Sequence, residues 1–204
     1  MSDAPSAPTP LWTRVRHGIQ QTVERLLHSS RRRAALARLA KLGELERVVV
    51  VCYANINRSP YAAALLTRAL AARELPLRVE QGGFFGPGRS TPELARNIAM
   101  ARDIDLKGHR SRFVTKDDIQ ARSLVIVMED WHAIRVERSF GIARNRLLLL
   151  GDLDPDPITS RSITDPVGGS LETYTQVYER IDRCVAELVR ALSAAWPRSV
   201  GSEQ

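Results

Sequence analysis

Cys52 and Arg58 stand six positions apart in the run VVVVCYANINRSPYAAALL, residues 48–66. A thiolate is a strong nucleophile. A guanidinium is a planar fork that can hold two oxygens of an oxyanion such as phosphate. The five residues between them, Tyr53 to Asn57, follow neither a helical nor a strand pattern. Ser59-Pro60 then reads as a helix start, where proline is tolerated in the first turn. A loop leading from a strand end into a helix N-terminus turns backbone N–H groups into one concavity, which favours an anion. The arrangement describes a nucleophile at the floor of an oxyanion cradle. Spacing alone does not carry this reading, because Cys184 and Arg190 repeat it. That second pair lies in a helical pattern, DRCVAELVRAL, where residues six apart sit on different faces. Cys184 therefore reads as a small helix-packing residue.

The elements that must position Cys52 follow from hydrophobic pattern. Residues 47–52, 77–80, 123–128 and 146–150 read as strands. Residues 59–73, 92–102, 115–121, 130–139 and about 169–195 read as helices. Alternating strands and helices, with strands apolar throughout, predict an α/β fold: a four-stranded parallel sheet with helices on both faces. Ligands in such sheets bind beyond the strands' carboxyl ends, where Cys52 falls. The expected organisation is an extension over 1–46, a body over 47–196 and a disordered tail over 197–204. Residues 1–10 are Pro/Ser/Ala-rich and read as disordered. Residues 11–43 carry apolar positions at helical spacing, as one long helix or as two broken near Ser29-Ser30.

Charge separates the two parts. The chain has 204 residues and a net charge of +7. Nine Lys/Arg against four acids place +5 within residues 1–47, which leaves +2 for the other 157. A nucleic-acid-binding body is not expected from that distribution. The basic helical region 11–43, with Arg31-Arg32-Arg33, suits a membrane surface or an acidic partner, or else a solvated face packed on the body. Two distant cysteines form no disulfide framework and no zinc spacing, which fits a reducing, cytoplasmic setting. No apolar run reaches about 18 residues, and the N-terminus does not read as a signal peptide.

The loop Cys52-Tyr53-Ala54-Asn55-Ile56-Asn57-Arg58-Ser59-Pro60 resembles the C-x-G-N-x-C-R-S-P signature of low-molecular-weight protein tyrosine phosphatases. The resemblance runs from Val48 to Leu192. It includes DIDLKGHRSRFVTKDDIQARSLVIVMEDWH and DPVGGSLETYTQVYERI. It implies that Cys52 attacks phosphorus to give a phosphocysteine. Arg58 and the backbone N–H groups of Tyr53, Ala54, Asn55, Ile56 and Asn57 would hold the phosphoryl oxygens. Ser59 would donate to the thiolate, and Asn55 would brace the loop in a left-handed conformation. A general acid is also needed, to protonate the leaving oxygen. Of three Asp-Pro pairs, Asp154-Pro155 and Asp156-Pro157 follow the last strand closely and read as turns. The resemblance implies Asp165. It further implies a phosphotyrosine-containing protein as substrate, a bacterial tyrosine kinase being one candidate, and no cofactor. The acids Asp152, Asp154 and Asp156 mimic a calcium loop, but Pro157 stands where its glycine belongs and Ile163 at its twelfth position, so no metal is expected.

Departures from the pattern matter. Ala54 replaces a glycine, which would cost on the order of 1 kcal/mol if that position needs positive φ. Asn57 replaces a cysteine that, in the family, can form a protective disulfide with the nucleophile. Val167 and Gly168 stand where many tyrosine phosphatases carry two aromatics. Val-Gly-Gly-Ser is closer to members that include protein arginine phosphatases, yet those carry threonine where Ile56 stands. Tyr53, Phe84 and Phe85 either supply the missing aromatic wall or pack their own loop. His109 and His132 read as structural or surface residues. Arsenate reductases of this fold need further late cysteines, whereas Cys184 stands mid-helix and alone. A non-catalytic phosphate-binding module is the remaining alternative.

Overall fold

Val48 to Val51 belong to a strand with no polar face. Val48 and Val50 join one apolar cluster, while Val49 and Val51 join another on the opposite side. Such a strand is stable only inside a sheet covered on both faces. The computed structural model describes residues 11–196, with side chains from Gln21 onward. The expected disordered start over 1–10 and the tail over 197–204 lie outside them. The strands are β1 (Arg47–Val51), β2 (Arg78–Gly82), β3 (Ser123–Val127) and β4 (Leu147–Leu149), all parallel, in the order β2-β1-β3-β4. The central strand β1 pairs Val51 with Gly82 on one side and Val127 on the other. The carboxyl ends of three strands therefore meet at one edge, where Cys52 follows β1.

The helices are α1 (Leu11–Leu39), α2 (Arg58–Ala71), α3 (Glu93–Met100), α4 (Asp130–Phe140) and α5 (Leu171–Ala195). Side chains of α2, α3, α5 and the C-terminal half of α1 pack on the Val48/Val50 face. Val136 of α4, with Val114 and Ile119 of the preceding loop, covers the Val49/Val51 face. Gly141 ends α4 at φ 64, and Ser170 caps α5 by accepting from the Thr173 N–H.

One element differs from expectation, and one expectation that held two alternatives is settled. Residues 115–121 form turns, not a helix. The Asp118 carboxylate accepts from the Thr115 N–H, the Thr115 hydroxyl and both terminal nitrogens of Arg112, and these bonds outcompete a helical ladder. Ser29-Ser30 do not break α1, which runs unbroken from Leu11 to Leu39. Its C-terminal half is docked: Ala35 and Leu39 are buried, His28 Nε2 lies 2.8 Å from the Asp154 carbonyl, and Arg32 pairs with Glu187 of α5. Among the described residues, no helix is long and apolar enough to cross a membrane.

Candidate active site

The loop from Cys52 to Asn57 is held by its own polar side chains. Asn55 adopts φ 52, a conformation asparagine tolerates better than most residues. Its amide nitrogen donates to Ser59 Oγ at 2.9 Å and to Gln81 Oε1 at 2.5 Å, while its Oδ1 accepts from the Arg112 N–H at 3.0 Å. An amide nitrogen can only donate, so Ser59 spends a lone pair on Asn55 and keeps its proton free. That proton faces Cys52 Sγ, 3.0 Å away. The network thus directs a hydroxyl donor at the sulfur, which stabilises negative charge there.

His109 completes the brace from behind. Its Nε2 lies 2.6 Å from the Asn55 carbonyl, which can only accept, so Nε2 carries the proton. Its Nδ1 then accepts from Gln81 Nε2 at 3.1 Å. Burial holds the ring's pKa below the usual histidine value, in keeping with a neutral tautomer. His132 is fully buried, and neither ring nitrogen has a partner among the described residues. Burial, and next the charge of Arg58, lower its pKa to about 3, although Glu129 Oε1 is only 3.8 Å from Nε2. It is a neutral packing residue behind the site.

Arg58 opens α2 and is completely buried. Nη1 donates to Glu129 Oε1 at 2.6 Å and to the Ile163 carbonyl at 2.7 Å, and Nη2 donates to Asp165 Oδ2 at 2.5 Å. Five donors are available on a guanidinium. Nε, although buried, has no partner among the described residues. A charged donor left unsatisfied in a closed site is costly without an acceptor, and an oxyanion in the loop would supply one. Asp165 is about one third exposed and turns its other oxygen to the Val167 N–H at 3.3 Å. The structure therefore brings Cys52, Arg58, Ser59 and Asp165 to one place.

The two departures in the loop resolve differently. Ala54 is not among the residues with positive φ, so glycine's freedom is not required there. Asn57 Oδ1 accepts from the Tyr178 hydroxyl at 2.7 Å, and Tyr178 is stacked on Tyr61 with ring centroids 4.0 Å apart. Asn57 therefore ties the loop to α5. Asp154 is a turn residue, as expected, but a fully buried one: its carboxylate accepts from Arg180 and Arg183.

Sequence reasoning missed Glu129 and Trp131. Glu129 precedes α4 and bridges Arg58 to the Trp131 indole N–H, which is 3.1 Å from Oε2. Both follow β3, so the sheet-end rule that located Cys52 also covers them. Trp131 is 41% exposed and stands edge-on to Tyr53 at 5.7 Å, while Tyr53 stacks on Phe85 at 5.3 Å. Three partly exposed aromatics thus line one side of the mouth.

Gly83 packs directly beneath the loop. A Cβ there would lie 2.6 Å from the Tyr53 carbonyl oxygen and 2.8 Å from the Asn55 nitrogen, both backbone atoms. Gly83→Ala is expected to displace the cradle and lower kcat/KM for an aryl phosphate by about 10²-fold, the scale of an ångström-sized misplacement. Thermal melting run in parallel separates this from unfolding; unchanged kinetics would mean the loop gives way freely.

The body of the chain is similar to known proteins. Residues 47–198 match the family described as low molecular weight phosphotyrosine protein phosphatase. The chain is 30% identical over 148 residues to the low molecular weight protein-tyrosine-phosphatase Wzb of Escherichia coli K12, covering 72% of this chain and 95% of that protein. It is 28% identical over 148 residues to the protein-arginine-phosphatase of Bacillus subtilis, covering 71% and 95%. The solved structure of tyrosine phosphatase Wzb from Escherichia coli K30 with sulphate superposes with a TM-score of 0.64 at 26% identity, over 72% of this chain and 99% of that one. The YwlE arginine phosphatase from Geobacillus stearothermophilus gives 0.63 at 26% identity, over 73% and 94%. By the family match across residues 47–198, and by the fold shared with these enzymes, the chain belongs to the low molecular weight phosphotyrosine protein phosphatase family.

Proposed function

We propose that the protein hydrolyses phosphotyrosine in protein substrates, a bacterial tyrosine kinase being one candidate, in a reducing cytoplasm. Cys52 Sγ attacks phosphorus in line with the departing phenolic oxygen. The S–P bond forms as the P–O bond breaks, and Asp165 gives its proton to the leaving oxygen. Arg58 Nε and the backbone N–H groups of residues 53–58 hold the non-bridging oxygens as charge develops on them. Water then attacks the phosphocysteine while Asp165 takes its proton, and inorganic phosphate leaves with Cys52 restored. Asp165 rests on Arg58 before substrate binds, so it must turn from the guanidinium to the leaving oxygen during the cycle.

The observation that carries the tyrosine reading is the aromatic side of the mouth, Tyr53 with Phe85 and Trp131. A flat phenyl ring stacks there at little entropic cost. Phosphoarginine is the second reading, favoured by Val167 and Gly168 in place of paired aromatics after Asp165-Pro166 and by the arginine phosphatase among the relatives. Peptides carrying phosphotyrosine or phosphoarginine in one sequence context distinguish the two. The expected result is a kcat/KM at least about tenfold higher on phosphotyrosine. Asp165→Asn should lower kcat on that peptide by about 10²- to 10³-fold. A preference for phosphoarginine would overturn the substrate, and no turnover of either would leave a phosphate-binding module.

A further inference from the structure

The helix α1 carries two apolar faces. In its C-terminal half, His28, Ala35 and Leu39 face the body and are buried. Around its middle, Val23, Leu26 and Leu27 are 44%, 73% and 43% exposed. Helical geometry sets these two groups about half a turn apart, so a straight helix cannot bury both on one body.

The direction of α1 gives this stripe a location. Its C-terminal end meets the amino ends of the strands, where Arg146 donates to the Leu42 carbonyl just before β4. His28 meets the opposite end, at the Asp154 carbonyl after β4. Leu11–Leu27 therefore extends past the carboxyl edge of the sheet as an arm roughly 25 Å long. That is the edge from which Cys52 works.

Charge selects the occupant. Among its 29 residues α1 has seven arginines and a single acid, Glu24. Glu24 is tied to Arg31 in an ion pair. Arg25 and Arg33 are exposed and make no ion pair among the described residues, and helical rotation puts both on the Leu26 side of the outer stripe. An apolar stripe bordered by arginines, with its lone carboxylate neutralised, is complementary to an anionic lipid surface: the stripe enters the acyl boundary while the arginines meet headgroups. Two such arms would repel one another, which disfavours a second copy as the occupant.

We propose that the N-terminal half of α1 is an amphipathic arm that seats the protein on anionic membrane surface. The full chain is tested by co-sedimentation with phosphatidylglycerol-containing vesicles and with pure phosphatidylcholine vesicles. Binding is expected to the anionic vesicles, to weaken as salt rises, and to be near background on phosphatidylcholine. Val23→Glu with Leu26→Glu, both at exposed positions, should reduce it at least tenfold, and Arg25→Glu with Arg33→Glu should weaken it several-fold. Hydrolysis of p-nitrophenyl phosphate in the absence of vesicles should not change in either pair. Equal binding to both vesicle types, or anionic binding that the double Glu variant retains, would overturn the proposal. So would concentration-dependent dimerisation that the same variant abolishes, because the stripe would then be a protein interface.

Discussion

Cys52→Ser is expected to abolish hydrolysis of p-nitrophenyl phosphate, by at least about 10⁴-fold in kcat, while the protein stays folded. The substitution exchanges sulfur for oxygen in a buried site of closely matched volume. Ser59 Oγ, 3.0 Å from the sulfur, can still donate to the new hydroxyl. Asn55, Gln81 and His109 form their brace without using the Cys52 side chain. The cradle should therefore survive and bind phosphate or vanadate, while a neutral hydroxyl supplies a far poorer nucleophile. Steady-state turnover and phosphate binding, measured on the same sample, check both halves. Turnover within tenfold of wild type would show that another group does the chemistry. Loss of phosphate binding together with turnover would place the sulfur in the binding of the anion as well.

The largest effect on stability is expected at Asp154, far from any substrate contact. Its carboxylate is fully buried and accepts from Arg180 Nε at 3.0 Å and from Arg183 Nε at 3.0 Å, both on α5. Its carbonyl meets His28 of α1. One residue after β4 thus fastens two helices to the loop that leads to Asp165. Asp154→Ala would remove the carboxylate that Arg180 pairs with and leave Arg183 with Asp156 alone. Breaking a buried ion pair typically costs about 3–5 kcal/mol. Because Arg180 and Arg183 are 17% and 38% exposed and can recover water, about 2–3 kcal/mol is the expected loss here. In a chain of this size that lowers Tm by roughly 5–10 °C. Asp154→Asn should recover part of the hydrogen bonding and little of the charge, and so fall between. A Tm within about 2 °C of wild type for the alanine variant, the low end of the shift that about 1 kcal/mol produces, would mean the arginines find other acceptors.

Sequence pattern reached the sheet, its parallel direction and the loop at its edge because these rest on local, repeating signals. Four valines have no polar face in any register, and Ser-Pro marks a helix start whatever surrounds it. The side chains that hold Arg58 were harder to see. Glu129 reaches it across 71 positions and Asp165 across 107, and no local pattern records such a meeting. Asp165 was legible through a family resemblance, whereas Glu129 had no such pointer. Asp154 looked like a turn residue because Asp-Pro usually is one; its burial depends on two arginines about 26 and 29 positions later. The misread helix at 115–121 has the opposite cause. Its residues are tolerated in a helix, but Asp118 offers the backbone and Arg112 a set of bonds that a local pattern does not weigh. Cys184 and Arg190 repeat the spacing of Cys52 and Arg58, yet Cys184 is buried in α5 while Arg190 is exposed and pairs with Glu187.

Gly83 has a bearing on how such an enzyme can change over generations or by design. The Phe84 N–H donates to the Tyr53 carbonyl at 2.7 Å, and Gly83 rests against the same peptide units. The segment bearing Phe84 and Phe85 and the segment wrapping the anion are consequently one mechanical piece. A mutation that reshapes the first to admit a new substrate will disturb the second, so substrate range and turnover are not separately tunable from that side. Trp131 is coupled to the same piece. Its ring lies 6.1 Å from that of Phe84 and 5.7 Å from that of Tyr53, and its indole N–H donates to Glu129, which in turn holds Arg58. Libraries aimed at altered selectivity should vary Trp131 and Phe84 together and leave Gly83 alone.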